Sequence, residues 1–124
     1  MVEATVALGP EGEWHEGDGT TPFACVVSFV EGGAAVVVRG EVDLETAPVL
    51  LGDLRTALAA SVPAVSVDLG QVTFLDSSGI RALLLAGREA WGRGITFGLA
   101  EVSAAVRLVI EAAGLSDTLH IVEE

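Results

Sequence analysis

The sequence predicts an α/β fold: a mixed β-sheet of about five strands with helices packed on it, in the order β-β-α-β-α-β-α-β. Three observations carry this. Short β-branched runs alternate with stretches whose apolar residues recur every three or four positions, and Gly or Pro punctuates most boundaries. The last four strand-like runs are each separated by one helical stretch, which calls for parallel crossovers of right-handed sense.

Residues 1–22 contain five acidic residues, four glycines and two prolines and show little periodicity. They read as a flexible acidic extension, from which Val6, Leu8 and Trp14 are available to dock on the domain or to add a short strand. The domain proper is 23–124. Residues 23–30 and 34–39 are rich in β-branched and aromatic side chains and flank Gly32-Gly33, the pattern of a hairpin. Leu50, Leu51, Leu54 and Leu58 then recur at helical spacing, with Asp43 or Thr46 as the cap and Pro48 tolerable in the first turn. Pro63 stops that helix, because the residue before a proline is pushed away from helical geometry.

Val65, Val67 and Leu69 alternate with Ser66, Asp68 and Gly70 as a third strand. A second helix follows at once, with Ile80, Leu83, Leu84, Gly87 and Trp91 on one apolar or small face. It ends at Gly92-Arg93-Gly94. Residues 95–99 make a fourth strand, Val102, Ala105, Val106, Val109 and Ile110 mark a third helix capped by Gly114, and 118–122 make a fifth strand.

A chain of 124 residues is one domain, long enough to bury about two thirds of the surface exposed when unfolded. Although 51% of the residues are apolar, charged or Gly residues break every apolar run short of the ~18 needed to span a membrane. With no basic, apolar leader at its start, the chain is expected to be cytoplasmic. Its net charge of −12 repels nucleic acid and anionic membranes. That charge suits a basic protein partner and serves solubility equally. All basic residues are arginines and they are scattered. The lone Cys25 sits in an apolar run as a structural thiol, His15 reads as exposed, and His120 as facing outward from the last strand. Neither histidine has ligand neighbours, so no metal or cofactor is expected.

The chemistry gathers where the third strand meets the second helix, at Asp76, Ser77 and Ser78. All three are good N-cap residues, and they place hydroxyls and a carboxylate beside unpaired backbone N–H groups that favour negative charge. Read alone, the serines are either helix caps or functional groups. A hydrolase nucleophile at Ser77 would need a general base, which neither histidine is placed to be, and the Gly-x-Ser-x-Gly elbow is missing. No phosphate-binding Gly-rich loop or dinucleotide fingerprint is present either. The chain is therefore not read as an enzyme.

The run Leu75-Asp76-Ser77-Ser78-Gly79 resembles the phosphorylation loop of the anti-sigma factor antagonists, small bacterial proteins of the STAS domain superfamily. Two further segments match in order. Gly40-Glu41-Val42-Asp43-Leu44-Glu45-Thr46-Ala47 is similar to the family's early Gly-Glu-apolar-Asp segment, and Ser103-Ala104-Ala105-Val106-Arg107-Leu108 with Gly114-Leu115 to its late helix and exit. The resemblance spans roughly 23–124 and implies a STAS-type fold. One departure is that family members usually continue into another helix after the last strand, whereas this chain stops at Glu124. The N-terminal segment is a candidate to cover the surface that helix would occupy.

The resemblance also implies a role in bacterial signalling. The protein would bind a serine-kinase anti-sigma factor when unphosphorylated and be released on phosphorylation of Ser77, with a serine phosphatase resetting the cycle and sigma-factor-dependent transcription as the output. On this scheme Asp76, Ser77, Ser78 and Gly79 meet the partner, and Ser78 by hydrogen bonding and Gly79 by permitting close backbone approach serve the geometry of the turn. Asp43, in the loop that a STAS fold puts beside this turn, reads as a partner contact or as a plain N-cap. The alternative function is an unswitched STAS subunit of a larger signalling or transport complex.

Overall fold

The computed structural model describes residues 12–120. Its sheet has five strands in the order β1 (His15–Glu16), β2 (Phe23–Val30), β3 (Gly33–Val42), β4 (Ala64–Leu75) and β5 (Thr96–Val102). The first two pairings are antiparallel and the last two parallel. Helix α1 (Ala47–Ala59) carries the chain from β3 to β4, α2 (Ser77–Gly92) from β4 to β5, and α3 (Ala104–Ala112) follows β5. Both crossovers step the same way across the sheet, so right-handedness puts α1 and α2 on one face. There the Arg55 guanidinium grips the Glu89 carboxylate through Nε at 3.1 Å and Nη2 at 2.6 Å.

The core lies between that face and the helices. Val36, Val38, Val65, Val67, Leu69 and Leu99 from the strands meet Leu50, Leu54, Leu58 and Leu83 from the helices, all buried. β3 outruns its expected end at residue 39 because Gly40, at φ +95°, forms a kink that few side chains would adopt. The kink turns Glu41 N–H onto Pro22 O at 2.7 Å and extends pairing to Val42.

The expected mixed α/β sheet is present, although Val102, expected on the third helix, is the last residue of β5, and two elements differ further. The fifth strand is not the one expected at 118–122. Residues 118–120 lie in a turn closed by Leu119 N–H to Leu115 O at 2.9 Å, and 121–122 lie outside the described residues. Leu119 is buried in this turn, and Leu99 N–H reaches His120 O at 3.0 Å, so the chain meets β5 through one bond rather than a ladder. The second difference is the buried stripe of α2. It consists of Gly79, Ala82, Leu83, Ala86 and Ala90, while Ile80, Leu84 and Gly87 are half-buried and Trp91 is 86% exposed. Small side chains let the helix axis approach the sheet, and the larger apolar residues are displaced to its flanks.

The fifth strand comes instead from the N-terminal segment. His15 and Glu16 pair with Cys25 and Ala24. The Trp14 ring lies under the Arg39 guanidinium at 4.1 Å, a cation–π contact. His15 Nδ1 lies 2.8 Å from Asp53 Oδ1, and the Cys25 thiol donates to Asp53 Oδ2 at 3.0 Å. Asp53, only 6% exposed on α1, thus joins a buried thiol to a half-exposed imidazole. Burial, reinforced by the Asp53 carboxylate, pushes the Cys25 thiol far above its ordinary pKa, so it is an inert donor. Val6 and Leu8 lie outside the described residues.

Replacing Asp53 by Ala strands the buried Cys25 thiol and unties the half-exposed His15. The expected loss is about 1–3 kcal/mol, read from the urea midpoint; an unchanged midpoint would mean that the bridge contributes no stability.

Candidate functional site

β3 and β4 run parallel and in register at their carboxyl ends, where Val42 pairs with Leu75. The turn after each strand therefore opens beside the other. Asp76 N–H donates to Val42 O at 3.2 Å, tying the second turn to the first. Such a crevice beyond the carboxyl ends of parallel strands is a usual place for function in α/β folds.

Among the three candidate caps, Asp76 does the capping. Its backbone is extended, and Oδ1 accepts from Ser78 N–H at 2.9 Å and Gly79 N–H at 3.3 Å. Ser77 and Ser78 are the first two residues of α2, so the reading that the serines merely cap the helix is overturned. Ser77 is exposed, and its hydroxyl has no hydrogen-bond partner among the described residues. Ser78 is half-buried and contributes its backbone N–H. Gly79 is buried, and a Cβ there would overlap Leu75 Cδ1 and stand 2.8 Å from Val42 Cγ1. Its hydrogen lets the first turn of α2 rest on the ends of both strands.

Asp43 opens the neighbouring turn. Its Oδ1 accepts from Glu45 N–H at 3.0 Å and Thr46 N–H at 3.1 Å, and its Oδ2 from the Thr21 hydroxyl at 3.3 Å. Thr46, nearly fully buried, occupies the N-cap position of α1 without a side-chain cap bond. Its hydroxyl instead lies 2.9 Å from both Asp43 N and Glu41 O. Desolvation opposes ionisation of Asp43, but the N–H groups of Thr46 and Glu45 and the two threonine hydroxyls outweigh it and hold its pKa below the ordinary value. Asp43 thus braces the loop, with Oδ2 toward the N-terminal segment. Beside it, hydrogen bonding and repulsion from Asp18 raise the pKa of Glu45.

The outer face of α2 continues the site. Ser77, Arg81, Leu84 and Arg88 line one shallow concavity and recur at helical spacing. Sequence reasoning passed over the two arginines because it tracked only the apolar period; their four- and seven-residue offsets were the available signal. A larger apolar groove, lined by Val30, Trp91, Phe97 and Leu119, lies at the far end of α2 from Ser77. None of residues 12–22 lines it. Among the described residues no three His, Cys, Asp or Glu side chains are arranged to hold a metal ion, and no helix is long and apolar enough to cross a membrane.

Residues 25–123 match the family model described as Mlab, STAS domain. A relative at 32% identity over 90 residues, covering 73% of each chain, is the anti-sigma-F factor antagonist RsfB of Mycobacterium tuberculosis. An anti-sigma factor antagonist from Mycobacterium paratuberculosis superposes with a TM-score of 0.74 at 32% identity, covering 82% of this chain and 86% of that one. The antagonist SpoIIAA of Bacillus superposes in its unphosphorylated form (TM-score 0.65, 26% identity) and its phosphorylated form (0.60, 25%). These alignments cover 82% of this chain and 90% and 93% of the two SpoIIAA chains.

Two outcomes are expected at this site. Gly79→Ala should cost about 1 kcal/mol net, an overpacking penalty of ~1–3 partly offset by ~1 from better helix propensity, visible as a lower melting temperature. The Asp43 carboxyl should titrate by NMR with a midpoint below 3.8. Because its folded pKa is depressed, the stability it contributes is complete above the ordinary carboxylate range and is lost as pH falls through that lower midpoint.

Proposed function

The chain belongs to the STAS domain family, and from that premise we propose that it is an anti-sigma factor antagonist switched by phosphorylation of Ser77. Its relatives of that name are regulatory binding proteins rather than enzymes. The observation that carries the reading is the exposed, unbonded Ser77 hydroxyl at the first position of α2, beside a capping Asp76. That SpoIIAA has a phosphorylated form supports the same chemistry in this fold.

In this reading the unmodified protein presents Asp76, Ser77, Ser78 and Gly79, with Asp43 in the adjoining loop, to a serine-kinase anti-sigma factor in the cytoplasm. Binding frees a sigma factor. Phosphorylation adds about −1.5 to −2 charges and three acceptor oxygens at Ser77. The fold accommodates them because the side chain already faces solvent and the helix N-terminus favours negative charge. The complex does not, because burying an unpaired dianion against a partner costs several kcal/mol, and ~4 kcal/mol is roughly a thousandfold in affinity. A serine phosphatase restores the binding form.

The test is intact-mass spectrometry with peptide mapping after incubation with ATP and candidate kinase anti-sigma factors from the same source. One phosphate, at Ser77, with loss of the complex is the expected result. Ser77→Ala should remain bound, and Ser77→Asp should bind at least about tenfold more weakly, a change of ~1.4 kcal/mol. A phosphorylated protein that still binds its kinase would overturn the switch. No phosphate with any candidate would point to an unswitched STAS subunit.

A further inference from the structure

Six arginines serve a chain of net charge −12. Arg39 lies over Trp14, Arg55 grips Glu89, Arg93 adds its charge near Glu89, and Arg107 is engaged elsewhere. Arg81 and Arg88 have no ion pair among the described residues, although acids outnumber bases three to one. Both are exposed on the face of α2 that begins at Ser77.

We propose that Arg81 is the intramolecular clamp for a phosphoryl group on Ser77. The proposal rests on the reading of Ser77 as the modified residue and deepens it. Ser77 and Arg81 are four residues apart, which puts their Cβ atoms about 5–6 Å apart on one helix face, with the acid N-terminal to the base in the more favourable order. They line the same concavity. The planar guanidinium can donate two parallel N–H bonds to phosphate oxygens. Arg88 is eleven residues from Ser77, an axial rise of about 16 Å, and is out of reach.

None of the carboxylates around the turn is paired with Arg81. Asp76 is engaged by Ser78 N–H and Gly79 N–H, Asp43 by Glu45, Thr46 and Thr21, and Glu45 by Thr20. In the unmodified protein Arg81 is therefore a cation available at the surface. Phosphorylation then makes two changes at once, adding an anion at Ser77 and withdrawing a cation one turn away. A partner that uses both loses both.

The test needs no partner and no kinase. The full chain is produced with phosphoserine incorporated at position 77 during translation, and the phosphate is titrated by 31P NMR. With Arg81 present, the second phosphate ionisation should occur about 0.15–0.4 pH unit lower than in Arg81→Gln, the size expected of an exposed pair one turn apart. Arg81→Lys should retain part of the shift, and Arg88→Gln all of it. The helix N-terminus is common to every variant and cancels in the comparison. Equal midpoints for the parent and Arg81→Gln, with unchanged circular dichroism, would overturn the clamp and leave the proposed switch standing. Conversely, a shifted midpoint in a protein that no kinase phosphorylates would leave the clamp standing and overturn the switch.

Discussion

The site depends on one close approach, that of the first turn of α2 to the carboxyl ends of β3 and β4. Asp76 N–H on Val42 O anchors the turn, and Gly79 removes the Cβ that would hold the helix away from Val42 and Leu75. Beyond that turn the alanine stripe of α2 keeps the separation small as far as Ala90. Ser77 is thereby fixed in position with its hydroxyl outward, on a frame too closely packed to deform cheaply. A group attached there would change the exposed surface without requiring a second fold.

Charge acts on two length scales in this molecule. The net −12 sets the far field, which steers basic surfaces toward the protein. Within a Debye length of about 8 Å the local pattern governs, and the face running from Ser77 through Arg81 to Arg88 has the opposite sign to the whole. A composition-level argument describes approach and is silent about contact.

Local signals in the sequence were reliable where the physics is local. The hairpin, the proline and glycine stops and the Asp76 turn follow from backbone preferences within a few residues, and each is found. The buried face of α2 was misjudged because hydrophobicity ranked Ile80, Leu84 and Trp91 above Ala82, Ala86 and Ala90, whereas the sheet selected for size. The strand expected at 118–122 gives way, at 118–120, to a helical turn that buries Leu119, a competition that alternation alone does not reveal. At the site, Asp76, Ser77 and Gly79 were legible as a motif. The bond from Thr21 to Asp43 and the union of His15, Asp53 and Cys25 join segments far apart in the chain, and no local pattern announces them.

The N-terminal segment separates two ideas of a domain. The family match begins at Cys25, inside β2, yet Trp14, His15 and Thr21 reach across that boundary to Arg39, Asp53 and Asp43. What is inherited as a module and what packs as a body are different stretches of this chain. Residues outside the matched stretch thus hold the edge strand, a buried carboxylate and a loop of the matched fold in place from the outside.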